Sequence, residues 1–496
     1  MGSPPKLADM IAHPQLFFIG GEWVQPSSTA TFDIITPSTE AVFGIVAEAQ
    51  AADMARAVRA ARTAFDEGPW PHMSHAERAE VLTAIAGEVR RRAPDLAASW
   101  TSEMGVVHSI ASLLVPPLAQ VYDYYAALAE TFPFEEHHVP ERGGFGLLVN
   151  EPVGVVAAIV PWNFPLMLVS WKIAPALLAG CTVVLKASPE APTTPYIMAE
   201  IAEAVVLPKG VLNVVTADRA VSELLVRNTD VDKVTFTGSS AAGKRIASIC
   251  GERIARYTLE LGGKSAAIIC DDFDLEKAAQ GIANGARLMT GQVCSSLTRV
   301  VVTRDRHDRL VENVGGAFAA IRVGDPFDPA TGMGPLAMGR QRQRVESYIA
   351  RGKSEGATLA TGGGRPPHLE RGFFLEPTVF ADVSNDMTIA QEEIFGPVLC
   401  VIPADDEQHA IRIANASPYG LNGAVFTEDS DKAYRMARRI RSGSVGQNGS
   451  RTDFTIGFGG FKQSGVGREG GTEGLRQFLE TKTIVTDEPP AHWRGL

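Results

Sequence analysis

The stretch GVVAAIVPWNFPLMLVSWKIAPALLAGCTVVLK occupies residues 154–186 and contains only two charges, Lys172 and Lys186. Its first seven residues are apolar and rich in Val and Ile, the composition of a strand buried on both faces. A proline-bounded loop follows. Residues 166–180 then carry an apolar run of helical length, and 181–186 form a second Val-rich run. The uncharged run 152–171 is about long enough to cross a bilayer. Pro161, Asn163 and Pro165 interrupt it, and Pro175 interrupts the next run, so a buried strand and helix of an α/β core fit better. The alternation continues downstream, with helices expected at 196–206, 222–227 and 241–250 and strands at 211–216 and 233–237. Strands alternating with helices predict a doubly wound parallel sheet, whose ligands bind at the carboxyl ends of the strands.

Upstream, residues 51–66 and 76–100 read as amphipathic helices, and 145–150 as a strand. A second α/β segment starts near Glu260. It has strands at 265–269 and 300–303 and helices at 275–291, 342–355, 407–416 and 431–441. The Gly-rich patch 362–364 reads as a loop. The tail 481–486 (TKTIVT) reads as a strand without a local partner, expected to pair with another subunit.

The 496 residues allow two or three domains and a large core. A formal charge of −11 argues against nucleic acid or an anionic membrane as the main partner. The five cysteines, Cys181, Cys250, Cys270, Cys294 and Cys400, form no C-x-x-C pair. Free thiols in a reducing compartment are expected, with no zinc knuckle or dithiol motif. Residues 1–15 are polar and proline-bearing and lack the apolar core of a leader, so a cytoplasmic protein is expected.

Two glycine motifs compete for attention. GVGREG at 465–470 matches G-x-G-x-x-G but lies near the chain end, where it cannot open a βαβ unit. It reads as a loop leading into a helix. GSSAAGKR at 238–245 nearly matches a triphosphatase loop, yet Arg245 stands where a magnesium-binding hydroxyl is needed. A strand entering a Gly/Ser turn and then a helix still aims free amides at an anion, which suits a pyrophosphate without obligatory metal. A merely structural turn is the alternative.

Three residues stand out as reactive. Cys294, in GQVCSS, has small and polar neighbours at a helix end, which suits an accessible thiolate, whereas the other cysteines lie in apolar runs. Glu260, in LELGGK, sits between leucines, so its pKa is expected to rise and equip it as a general base. A surface or salt-bridged glutamate is the alternative. Asn163, in PWNFP, has its amide fixed between two prolines, a way to preorganise an oxyanion donor. A turn asparagine is the alternative there.

Taken together these motifs resemble the aldehyde dehydrogenase superfamily over residues 17–485. PWNFP (161–165), KASPE (186–190), FTGS (236–239), LELGGK (259–264), GQVC (291–294), EEIFGPV (392–398) and FGGFKQSG (458–465) stand in family order, and Glu260 precedes Cys294 by 34 residues. The resemblance implies an α/β fold of two doubly wound parallel-sheet domains plus a small β oligomerisation arm. Residues 1–132 and 151–259 would form the dinucleotide-binding domain, and 260–447 the catalytic domain. Bridging strands would fall at 133–150 and 478–496, and the loop 448–477 would line the substrate tunnel.

The roles implied by the resemblance are specific. Cys294 would attack the aldehyde, Asn163 and the Cys294 amide would hold the oxyanion, and Glu260 would activate water against the thioester. Lys172 and Glu469 would pass protons from that base. Val160, Pro161, Trp162, Lys186, Ser188, Glu190, Gly238, Ser239, Gly243, Leu261, Glu393 and Phe395 would contact the dinucleotide. Phe164, Trp171 and Phe458 would line an apolar aldehyde tunnel suited to aliphatic, terpenoid or aromatic substrates. No metal is implied. NAD is the implied cofactor, with NADP left open because Pro189 stands where NAD-preferring members often carry a ribose-binding Glu. Gly457 replaces a frequent Pro and is expected to loosen the loop bearing Phe458. A homodimer or homotetramer is implied. Coenzyme A-acylating relatives, which generally lack the Glu260-type base, and a non-catalytic cofactor-binding protein are the rival readings.

Overall fold

The computed structural model describes residues 6–493; the expectations that fell on 1–5 and 494–496 lie outside the described residues. The opening stretch is strand β1 (Val155–Ile159), helix α1 (Pro165–Ala179) and strand β2 (Thr182–Ala187). Helix α2 (Thr193–Ala204), strand β3 (Leu212–Thr216), helix α3 (Arg219–Arg227), strand β4 (Lys233–Thr237) and helix α4 (Ser240–Arg253) follow. All five parallel strands share one sheet, the fifth being β5 (Arg256–Glu260), which the sequence reading did not anticipate. The sheet is completed by the antiparallel pair Phe17–Ile19 and Glu22–Val24 beyond β3, and by Gly465–Val466 beside β5.

The valine-rich runs follow from burial on both faces. Val156, Ala158, Val183 and Leu185 point into one apolar cluster, and Val155, Ala157, Ile159 and Val184 into another. Successive strand residues face opposite ways, so both sets must be apolar. β4 and β5 depart from this. Val234, Phe236 and Leu259 join an apolar cluster, while Lys233, Thr235, Thr237, Thr258 and Glu260 are polar yet buried.

Several expectations need correction. Residues 76–100 form two helices, His75–Arg91 and Ala93–Met104, with Pro94 in the first turn of the second. Pro fits there because a helix start has no use for its missing N–H. Pro175 lies inside α1 without ending it. The helix expected over 275–291 ends at Arg287; Met289 and Thr290 then take φ of 48° and 54° in a tight turn. The tail strand (Leu479–Thr486) does have a partner in its own chain, pairing antiparallel with Phe145–Pro152 along its whole length. Glu135–His138 adds the third strand of this small sheet.

The second domain holds a seven-stranded sheet built around Ala266–Ile269 and Arg299–Thr303, parallel except at its Thr358–Thr361 edge. No helix among the described residues is long and apolar enough to cross a membrane. Leu177, fully buried in α1, tests the core beneath the first sheet. Leu177→Ala is expected to cost about 2–5 kcal/mol, read as a lower midpoint in urea unfolding.

Candidate active site

In the first sheet β1 has β2 and β3 on one side and β4 and β5 on the other. The connections diverge from this point, which leaves a crevice at the carboxyl ends of the strands. Four chain segments meet there: residues 160–164 after β1, 186–190 from β2, 238–239 after β4 and 260–263 from β5.

Val160 is buried and its amide donates to the Lys186 carbonyl at 3.4 Å; Pro161 follows it into the loop. Trp162 meets Phe395 edge to face at 5.5 Å, and Phe395 holds φ at 62°. Burial pulls the Lys186 ammonium down to about 8, against the charges of Glu190 and Asp218. The Ser188 hydroxyl donates to Glu190, and Arg340 forms an ion pair with the same carboxylate. Glu190 therefore enters the crevice already engaged on both oxygens.

Gly238 leads into the turn, and the Ser239 side chain caps α4 by accepting from the Ala242 amide at 3.3 Å. The first amides of a helix lack internal partners and offer themselves to an anion. Gly243 lets α4 lie against Leu261, because a Cβ there would come within 2.5 Å of the leucine. Leu261 is thus a packing contact of the turn. Glu393 accepts from the Gly263 amide at 3.2 Å, and burial raises its carboxyl to about 7. An anion cradle, a cation, two aromatic rings and a carboxylate lie along one cleft, a donor set that fits a dinucleotide.

At the inner end of the cleft stands Cys294, half-buried, while the other four cysteines are buried. Its carbonyl rests against Gly263, where a Cβ would lie 2.5 Å away. Its surroundings work against the expected ready thiolate. Burial, and then the negative charges of Glu393 and Glu260, push the thiol up to about 12, against the amides of Ser295 and Cys294. Asn163 donates from Nδ2 to the Gln292 carbonyl at 3.0 Å, two residues before the cysteine. Its second amide hydrogen remains for an oxyanion. Trp100 fixes the Asn163 backbone by donating from Nε1 to its carbonyl at 2.8 Å.

Glu260 is 3% exposed, and neither of its carboxylate oxygens has a hydrogen-bond partner among the described residues. Burial and the charge of Glu469 raise its pKa well above the carboxylate range, while Lys172 and Arg468 oppose the shift. Lys172 is fully buried, paired with Glu469, and donates to Thr237 Oγ1 at 2.6 Å. Glu469 arrives on the 465–470 loop, which leads into a helix as expected. Gly465–Val466 also adds a short edge strand to β5.

Trp171 and Phe458 meet edge to face at 5.3 Å beside this centre. Phe164 turns instead to Trp100, stacked at 4.3 Å. The loop bearing Phe458 is not loose: Phe458 and Glu469 exchange two backbone hydrogen bonds, and the Gly471 amide donates to the Phe454 carbonyl at 2.8 Å.

The sequence reading missed five contributors, namely Trp100, Gln292, Thr237, Ser464 and Arg340. Ser464 is fully buried and ties the FGGFKQSG loop to Gly262 at 2.7 Å and Gly420 at 2.9 Å. Gln292 and Ser464 lay inside quoted motifs, whereas Trp100 and Arg340 come from distant helices that no local pattern connects to the cleft. One further group, Cys270, Asp272 and Glu407, has ligand-like spacing, but the Lys432 ammonium already pairs with both carboxylates.

Comparison with known proteins bears on this arrangement. The aldehyde dehydrogenase family profile matches residues 23–484. Geranial dehydrogenase of Castellaniella defragrans is 44% identical over 95% of this chain and 98% of the relative. The Mycobacterium tuberculosis aldehyde dehydrogenase complexed with NAD+ superposes with a TM-score of 0.93 at 45% identity, over 96% of this chain and 98% of that one. A mutant of Pseudomonas syringae aldehyde dehydrogenase C, in complex with NAD+ and octanal, gives a TM-score of 0.93 at 39% identity, over 97% and 98%. A cysteine, a buried glutamate and an anion-binding turn gathered at one sheet's switch point, with matches that span nearly the whole chain, lead to one conclusion: this protein belongs to the aldehyde dehydrogenase family.

Proposed function

We propose that this NAD-dependent aldehyde dehydrogenase oxidises apolar aldehydes, aliphatic, terpenoid or aromatic, to carboxylic acids through a thioester on Cys294. The observation that carries the reading is the buried, hydrogen-bond-free Glu260 close enough to Cys294 for its charge to raise the thiol. Lys186 and Glu393 would hold the riboses, the Gly238–Ser239 turn the pyrophosphate, and Trp162 and Phe395 would flank the cleft. NAD supplies the hydride acceptor and a positive ring.

The Cys294 thiol first gives its proton to Glu260, and the thiolate attacks the carbonyl carbon to give a thiohemiacetal; that proton leaves Glu260 before water is activated. Its oxyanion takes hydrogen bonds from Asn163 Nδ2 and the Cys294 amide, a contribution of roughly 10²–10³ in rate. Loss of hydride from that carbon leaves the thioester. Glu260 takes a proton from water as the water oxygen attacks, the C–S bond breaks and the thiolate returns. A carboxylate with a raised pKa is basic enough for this task, and positioned bases contribute about 10²–10⁴.

Trp171 and Phe458 offer rings, and a second aromatic pair, Tyr124 and Phe454, lies edge to face at 6.0 Å. The similarity to a geranial dehydrogenase and to an enzyme crystallised with octanal supports apolar substrates. The Glu190 carboxylate disfavours a 2′-phosphate, which supports NAD over NADP. Among the described residues no strand lies beside the outer edge of Leu479–Thr486, and Val485 there is 60% exposed, so a second copy would add at that edge to form a homodimer or homotetramer.

The test of the reaction is a panel of octanal, geranial, benzaldehyde, betaine aldehyde and succinic semialdehyde with NAD, using Cys294→Ala as control. The first three are expected to give the higher kcat/KM, with no turnover by the variant. Product formation only with coenzyme A would install the acylating alternative. Glu260→Gln is expected to release a burst of reduced cofactor and then stall. Steady turnover would assign the base elsewhere. The thiol also predicts a pH response. In NAD-free protein, Cys294 is protonated below its raised pKa, so its alkylation by iodoacetamide should rise about tenfold per pH unit from 7 to 9. A plateau in that range would mean the thiolate is already formed.

A further inference from the structure

One ion pair of the cleft joins an element of each sheet. Glu190 stands on the loop between β2 and α2, and Arg340 lies in the first turn of the helix Gly339–Ser354. Val345, Tyr348 and Ile349 of that helix pack into the apolar cluster of the second sheet. Arg340 therefore reaches Glu190 Oε1 from the other sheet's side. Ser188 donates to the second carboxylate oxygen, and among the described residues Arg340 has no other acceptor. The arginine side chain is 68% exposed, against 25% for the glutamate. A pair so open to water contributes little to stability, so its place calls for another account. The Lys186 ammonium, pulled down by burial, is supported by the Glu190 charge four residues on. Burial alone would raise the Glu190 carboxyl, but Ser188 and Arg340 outweigh it and hold it below the usual range. A full negative and a full positive charge thus lie side by side where the cleft carries Lys186.

We propose that Arg340 is the residue through which this chain reads the 2′ position of the adenosine ribose, by locking Glu190 in place for NAD and by gripping a 2′-phosphate when the Glu190 charge is removed. The inference rests on the reading above that Lys186 holds that ribose. A carboxylate accepts hydrogen bonds from a ribose hydroxyl and repels a phosphate. A guanidinium does the reverse, because its rigid fork of N–H donors fits phosphate oxygens. Both groups are present here at one point, and their pairing decides between them. An ionised carboxylate has roughly four acceptor sites, so Ser188 and Arg340 leave it room for a hydroxyl. A 2′-phosphate arriving there meets the carboxylate and finds the fork engaged. Without the Glu190 charge the same fork is released, already exposed and already at the ribose. Its position in the first turn of a 16-residue helix favours an anion as well. Arg340 is thus a positioning residue toward NAD and a latent receptor toward NADP.

The experiment is calorimetric titration of the aldehyde-free protein with NAD and with NADP, so that binding is read without turnover. Arg340→Met is expected to weaken NAD about threefold. Glu190→Gln is expected to tighten NADP about tenfold or more. The double variant Glu190→Gln, Arg340→Met is expected to lose that gain, and Glu190→Gln, Arg340→Lys to keep part of it, because a point charge replaces the fork. The gain should shrink as salt is raised. Titration with 2′,5′-ADP against 5′-AMP repeats the comparison for the 2′-phosphate alone. Because a variant can fail to fold, Glu190→Ser removes the same charge by a second route and is expected to give the same order. No NADP gain in either Glu190 variant, or a gain that survives Arg340→Met, overturns the proposal. Unchanged NAD binding by Lys186→Ala overturns instead the placing of the ribose on which it rests.

Discussion

The centre of this structure depends on one constraint: the Glu260 carboxylate is held out of water with no hydrogen-bond partner among the described residues. A carboxylate with no hydrogen bond inside a protein is costly, and burial drives it toward the protonated form. Glu469 adds repulsion, and Lys172 and Arg468 counter it. Lys172 cannot act on Glu260 alone, because its own buried ammonium needs the Glu469 partner. Removing one member of such a buried pair generally costs about 3–5 kcal/mol. The carboxylate, the ion pair and the threonine face of β4 and β5 are therefore one electrostatic unit.

The legible part of the fold was the part with one dominant pattern. β1 is apolar on both faces and β2 and β3 are mostly so, Thr182, Lys186, Asn213 and Thr216 being the polar positions, and their ends were read within one or two residues. β5 was missed although β4 (KVTFT), which was read, mixes polar and apolar positions alike; RYTLE carries a charge at each end, Arg256 and Glu260, whereas KVTFT carries only Lys233. The tail strand was legible as a strand, but its partner, Phe145–Pro152, is joined to it by no local turn, so nothing nearby in sequence names it.

The site divides in the same way. The motif order brought Cys294, Glu260, Asn163, Lys172 and Glu469 forward, and the fold gathers their segments in one place. The state of the thiol was not legible. It depends on Glu393, which reaches Cys294 through folding alone, and on burial that flanking small residues do not report. Glu190 shows the same limit, because its partner Arg340 comes from a helix in the other domain.

Cys294 and Glu260 press against bare backbone. Gly263 carries the Cys294 carbonyl where a methyl would stand 2.5 Å from it, and at Gly459 a methyl would lie 2.7 Å from a Glu260 oxygen. Any side chain there would displace sulfur or base by a distance that matters to bond making. Trp171 meets Phe458, and Tyr124 meets Phe454, through ring edges, a looser kind of contact that tolerates exchange of size and shape. Under the proposed reaction, a change of substrate would be absorbed by these rings and not by the glycine-backed centre.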